Sequence, residues 1–272
     1  MSTSAVGAWA VPARAQARRA VEVVWISASL QIRAQRHPTF LVLGLVQPAA
    51  FLLVTTFASR RGHGIDLAAA ALGTGLIALW GATIWSAGSI LRSERWQGTL
   101  PGIVSRPAGL GTVLLGKSLG ATTLSTLFIG ATVYTLSWAI GHPIPVEHSL
   151  AFVAALVAVF ISATVLGLLL SCVFILTRAA PRISEALMYP VFIVGGMLVP
   201  VDLLPGWAQP LSNGVSLYWG SRLVKEASVG APQRLGDWVG LALTTAAYAL
   251  LARVFFSRVV DRARQEGSID LY

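Results

Sequence analysis

The chain has 272 residues, of which 55% are apolar and only 11% charged, and it carries a net charge of +9. A soluble domain carries about 25% charged residues, so this composition excludes an ordinary globular enzyme and describes an all-α, polytopic membrane protein. The basic balance could suit nucleic acid, but the placement of the charges assigns it to topology and lipid contact, and no nucleic-acid partner is expected.

In chain order, the first predicted element is an amphipathic helix over 14–36. Val21, Val24, Trp25, Ala28 and Ile32 recur at helical spacing, with Arg18, Glu22, Gln31 and Arg33 between them. Such a helix lies in the membrane interface, with Val21, Val24, Trp25 and Ile32 as its apolar anchors. His37-Pro38 ends it. The stretch near Met1 has no compact apolar core with a cleavage site, so no signal peptide is expected.

Six transmembrane helices are predicted next, at about 40–59, 67–91, 118–140, 150–177, 186–201 and 238–257. A helix needs roughly 20 apolar residues to cross a bilayer. The first contains Gln47-Pro48, which marks a kink or a helix contact. In the second, Thr74, Gly81 and Gly88 are seven apart and are expected to share one packing face. The third is rich in hydroxyls, among them Thr122, Thr123, Ser125, Thr126, Thr132, Thr135 and Ser137. These could line a polar path or bond to their own helix backbone. The fourth contains Cys172, the lone cysteine, which excludes an intramolecular disulfide and reads as a packing residue. The fifth is short and broken by Pro190, Gly195, Gly196 and Pro200. The following segment, to Lys225, combines prolines with Leu203, Leu204 and Trp207, and reads as a re-entrant or surface-lying segment on the outer side, over about 199–225 between spans five and six. The tryptophans near span ends read as interfacial anchors.

The segment Arg92–Lys117, RSERWQGTLPGIVSRPAGLGTVLLGK, lies between two uncharged apolar runs. Its charges would be costly in hydrocarbon, so it is a loop outside the membrane. Gly98 ends or bends the preceding helix, and Thr99 is a candidate N-cap for a new short helix. Pro101 falls in its first turn, where a missing N–H costs nothing. Leu100, Ile103 and Val104 give it an apolar face, and Pro107 limits its length.

With the N-terminus placed in the cytoplasm, fifteen of the twenty Lys and Arg residues fall in inner segments and five in outer ones. This positive-inside bias predicts cytoplasmic N- and C-termini. No internal repeat is visible, and residues 1–272 read as one transmembrane domain. No GxxxxGK[ST] phosphate loop and no HExxH, CxxC or EF-hand pattern occurs. No cofactor or metal site, and no catalytic residue, is therefore expected in this chain. His142 and His148 read as exposed turn residues. No carboxylate falls in the middle of a span, which argues against a proton-coupled relay. Energy for any transport has to come from elsewhere.

The pattern Glu94-Arg95-x-x-Gly98-Thr99-Leu100, followed by Pro107 and Gly116-Lys117, resembles the first cytoplasmic loop of ABC-2 type exporter permeases. Pro101-Gly102 departs from the acidic residues more common there, and Gly102 removes half of a capping box. The run Gly196-Met197-Leu198-Val199-Pro200, then Leu204-Pro205-Gly206-Trp207 and Leu217-Tyr218, is similar to that family's region between spans five and six. The resemblance implies that the loop over 92–107 is a coupling helix gripped by a separate ATP-binding subunit through Glu94, Arg95, Gly98, Thr99, Leu100, Ile103 and Val104. It implies an outer gate at Pro200, Leu204, Pro205 and Trp207, a connector helix over 14–36, and a dimer with a second copy or a paralogue. ATP and Mg would then reside on the partner. The expected function is ATP-driven export of an amphipathic drug or natural product across the cell membrane. Export of a lipid-linked glycan, of O-antigen or teichoic-acid type, is the alternative. From another class, a membrane scaffold or membrane-embedded enzyme would need a docking domain or an acid–base cluster that the sequence lacks.

Overall fold

The computed structural model describes residues 13–35, 38–60, 66–104, 110–177, 179–197 and 201–265. Among these residues it is all helical, with no strand. Eleven α-helices occur in chain order: α1 Ala13–Ala34, α2 Pro38–Arg60, α3 Leu67–Ala82, α4 Ile90–Trp96, α5 Leu100–Val104, α6 Leu110–Ala139, α7 Ser149–Leu176, α8 Ala180–Val194, α9 Gln209–Ser212, α10 Ser216–Ser228 and α11 Leu235–Gln265.

Among the described residues, four helical stretches are long and apolar enough to cross a membrane: Leu67–Trp96, Leu110–Ala139, Ser149–Leu176 and Leu235–Asp261. The described apolar part of α2 is shorter, Gly44–Phe57. Helix α8 has 15 residues and an internal Pro190. It stops at Val194, so the predicted fifth span, which was to run to residue 201, ends early. The physical reason is Gly195-Gly196: Gly196 adopts φ +64° and terminates the helix. The second span extends past its predicted end through Arg92 to Trp96, α6 starts ahead of its predicted start and takes in Lys117, and α11 outruns its predicted limits at both ends, whereas α7 matches the predicted fourth span to within a residue at each end.

The stretch Leu67–Trp96 forms the centre of the bundle. Two thirds (67%) of its most apolar window is buried, against 6% for Leu235–Asp261 at the periphery. It is not a uniform α-helix. Thr83–Ala87 form a π-turn, closed by Gly88 N donating to Thr83 O at 2.8 Å. The extra residue in that turn shifts the register. Gly81 therefore faces Gln47 of α2 and Met188 of α8, whereas Gly88 faces Leu170 and Phe174 of α7. The expectation that Thr74, Gly81 and Gly88 share one face fails at the π-turn.

Helix α1 packs along the start of α6 by backbone approach. A Cβ at Gly116 would stand 2.4 Å from Val24 O, and one at Gly120 2.4 Å from Ala28 O. The spacing Gly116-x-x-x-Gly120 sets two glycines of α6 against the backbone of Val24 and Ala28, the kind of close approach that small residues permit between membrane helices. Ser27 is buried in this contact, while Val21 (68%) and Trp25 (75%) are exposed. The predicted apolar face of α1 is thus divided. Val24 seats the helix on α6, Ile32 is half-buried, and Val21 and Trp25 point away from the protein.

The bundle has two ends. One carries α1, α4, α5, the start of α6 and the last turns of α11, where Leu100, Leu110, Leu114, Ile175 and Val259 share one apolar cluster. The other carries α10 and the α6–α7 turn, where Glu147 N donates to Ser228 O at 3.2 Å. The larger core joins α3, α7, α8 and α10. Helix α10 packs against α3, α7 and α11. Its Gly220 meets Val159 of α7, and its Trp219 ring meets Gly240 of α11.

Candidate functional site: the turn between α4 and α5

Helix α4 ends in a Schellman turn built by its own sequence. Gly98 takes φ +69°, a conformation that L side chains rarely adopt. Gly98 N donates to Arg95 O at 3.1 Å, and Thr99 N donates to Glu94 O at 3.0 Å. These two bonds satisfy carbonyls that a helix C-terminus otherwise leaves free. The chain then reverses into α5, where Ile103 N donates to Thr99 O at 3.2 Å. Thr99 thus stands at the N-cap position.

Side chains lock this turn to the neighbouring helix. The Glu94 carboxylate accepts from Thr99 Oγ1 at 2.6 Å through Oε2, and pairs through Oε1 with Lys117 Nζ of α6. Glu94, Thr99 and Lys117, separated by up to 23 positions in sequence, thereby form one network. Lys117 contributes a charge at the start of a long apolar helix, where an unpaired ammonium would be costly. Leu100 is fully buried in the apolar cluster beneath the turn.

Burial divides the residues assigned to the coupling loop. The sequence reading placed Glu94 and Leu100 on a docking face, but both are buried in this chain and hold the turn from inside. Arg95 and Ile103 are half-buried, and Gly98 and Thr99 are exposed. The outward surface also includes Trp96, 80% exposed, with Gln97, Pro101 and Gly102. Arg92 Cζ stands 5.5 Å from the Trp96 ring centre and steadies it by a cation–π contact. From the sequence Trp96 reads as an interfacial anchor, at a place where a span meets water or a partner; its position between Arg95 and Gly98 is the signal for this turn. The side chain of Val104 and all of Pro107 lie outside the described residues.

At the opposite end, Leu203 and Trp207 project outward with exposures of 74% and 77%. Val201–Leu203 form a short 3-10 turn, followed by a turn in which Ala208 N donates to Pro205 O at 2.8 Å. Leu204 is half-buried and its carbonyl accepts from Gln209 Nε2 at 3.1 Å. Pro200 lies outside the described residues. The segment is tied to α11 through Tyr248, whose hydroxyl donates to Gly214 O at 2.6 Å.

The hydroxyls of α6 are engaged differently: those of Thr122 and Thr126 are buried without a hydrogen-bond partner among the described residues, and others bond locally. Thr123 donates to Leu119 O and Thr135 to Ala131 O, both within the helix, while Ser137 donates to His142 O in the following turn. Among the described residues no group of His, Cys, Asp or Glu could hold a metal.

A bundle of long apolar helices with a braced, exposed turn at one end defines a multi-pass membrane protein, without a constellation for chemistry among its described residues. The profile of the family described as ABC-2 type transporter matches residues 22–227, and the chain belongs to that family. The match begins within α1 and ends within α10, so it includes the turn and the central helix. The chain is therefore the membrane component of an ABC transporter, in a family whose permeases are generally non-enzymatic and work with ABC ATP-binding subunits. No curated protein matches the sequence.

Proposed function

We propose that the chain is the permease subunit of an ATP-driven exporter that moves an amphipathic drug or natural product out across the cytoplasmic membrane. A separate ATP-binding subunit, carrying ATP and Mg, grips the turn between α4 and α5, and two permease copies, or this chain and a paralogue, line the pathway. In this reading the whole chain is one transmembrane domain with six spans, α2 and α8 being the shorter two, and both termini are cytoplasmic. Segment 199–225 lies at the outer side as a re-entrant hairpin, with Leu204, Pro205 and Trp207 near the outer gate.

One observation carries the coupling assignment. The turn is rigid inside and exposed outside, so a force on Trp96, Arg95 and Pro101 passes through the Glu94–Lys117 pair into both the central helix and α6. Rigid transmission of this kind suits switching between two global states. The charge distribution supports the orientation, since the segments assigned to the inner side gather at the end that carries the turn.

The test is co-expression with candidate ATP-binding subunits, purification through a tag on this chain, and an ATPase assay. A subunit is expected to co-purify with active ATPase. Trp96→Ala is expected to weaken the complex by roughly 2 kcal/mol, the scale of an interface hot spot, without lowering the thermal midpoint of the isolated chain. A chain that purifies alone and stimulates no ATPase would overturn the proposal.

A further inference from the structure

The bundle contains a cavity of about 460 Å3 between α2, α3 with its π-turn, α6 and α8, bordered by the end of α1. Pockets for drug-sized molecules run from about 300 to 1,000 Å3, so this one has room for a small organic molecule. Its walls are mainly apolar, with Trp85 and Phe128 as the aromatic surfaces, and among the described residues none of the lining side chains is charged. The polar groups are few: Gln35, Gln47, Ser86 and Ser125.

Gln35 gives the cavity its chemical character. It is 5% exposed, and its Nε2 donates to Ser86 Oγ on the π-turn. Its Oε1 is buried and has no hydrogen-bond partner among the described residues. A buried carbonyl left unpaired is unfavourable, and buried polar groups in native proteins are almost always satisfied. Trp85 and Ser86 both belong to the π-turn, and such turns concentrate at functional sites. The cavity therefore offers apolar volume, aromatic faces and a buried vacant acceptor.

We infer that this cavity binds an uncharged, largely apolar molecule that donates a hydrogen bond to Gln35 Oε1, and that it is the cargo site. The cargo role rests on the permease reading above; the binding itself does not. A phosphate-bearing glycan carrier fits poorly, because its charge would be desolvated with no cation among the described lining residues. A lipid acyl chain would fill the apolar space but bring no donor to Gln35. The π-turn lies in the helix that continues into α4, so the cavity wall and the exposed turn belong to one continuous element.

The probe is N-phenyl-1-naphthylamine, an uncharged aromatic with one N–H donor, titrated by fluorescence into the purified full chain in detergent. Its counterpart is 1-naphthyl phenyl ether, of similar shape and without a donor. Saturable binding of both is expected, with the amine about three- to tenfold tighter, the range of one net hydrogen bond. Gln35→Leu is expected to erase that preference. Because this change also removes the bond to Ser86, Ala82→Phe and Ser125→Phe fill the cavity from two different helices and are each expected to abolish saturable binding of both probes. Wild-type-like binding in the filled variants, a preference that survives Gln35→Leu, no saturable binding at all, or stoichiometric displacement of the probes by phosphatidylglycerol would each overturn the inference. The titration needs no ATP-binding subunit. A chain that binds the probe but couples to no ATPase therefore refutes the permease reading, and a coupled chain without saturable binding refutes the cavity.

Discussion

At one end of the bundle, the short turn between α4 and α5 is closed by Glu94, Thr99 and Lys117, a network in which each charge has its partner. At the other end, α10 brings Arg222, Lys225 and Glu226 into partly or largely buried positions with less complete pairing. Arg222 Nε stands 3.3 Å from Asp237 Oδ2 of α11. Lys225 Nζ donates to Gly196 O, at the end of α8, at 3.4 Å. Among the described residues Lys225 has no carboxylate within ion-pair distance. Burial pulls the Lys225 ammonium below its ordinary pKa, and Asp66 only partly opposes it. Burial first, then the neighbouring Asp237, pushes the Glu226 carboxyl above its ordinary value. The difference teaches how the two ends work. The first spends its charges on fixing one geometry; the second holds charges whose burial is incompletely offset, so its stability varies with pH.

The largest expected effect breaks the first network. Lys117→Met leaves the Glu94 carboxylate without its cation in a largely buried site, and removing one partner of a buried pair costs roughly 3 kcal/mol. The thermal midpoint of the purified chain should fall, and Glu94→Gln in the same chain should restore part of the loss. A midpoint unchanged by Lys117→Met would show that the pair does not hold the turn.

Next is the seat of α1. Gly120→Leu places a side chain where a Cβ already stands 2.4 Å from Ala28 O. Overpacking of this kind costs about 1–3 kcal/mol, and α1 should become the first site of limited proteolysis. Gly98→Ala follows, with about 1 kcal/mol for a left-handed conformation. Under the proposed function it should also weaken the hold of an ATP-binding subunit, because the exposed surface is re-aimed.

The smallest effect sharpens the contrast at the opposite end. The folded chain holds the Glu226 proton more tightly than the unfolded chain does. Stability should therefore rise as pH falls through the raised folded value, and level off below the ordinary 4.5. Glu226→Gln should flatten that part of the stability–pH curve while leaving the Lys117 effect intact. A curve with the same slope in the variant would assign the pH dependence to another group.

Much of the architecture is legible in the amino-acid order. Long uncharged runs define the central helix, α6, α7 and α11, because transfer of apolar side chains from water is additive along a chain and insensitive to partners. The sorting of Lys and Arg groups the same segments that the structure gathers at one end. Gly98, by lacking a Cβ, determines the turn after α4 locally. Glu94, Thr99, Leu100 and Lys117, singled out in the sequence, lie together at this turn.

Only the tertiary structure decides what those residues face. Glu94 meets Lys117 because the central helix and α6 pack side by side, and that contact turns a surface charge into a buried brace. Leu100 points inward because an apolar cluster from four other segments lies beneath it, and Trp96 is exposed instead. The π-turn carries no periodic signature in a run that is apolar on all sides, so the separate orientations of Gly81 and Gly88 follow from packing alone. The pairing of Gly116 and Gly120 with Val24 and Ala28, and of Gln35 with Ser86, likewise depends on how α1 crosses the bundle. Hydropathy is a property of each residue against solvent, whereas these contacts are properties of pairs, which exist only once the helices have met.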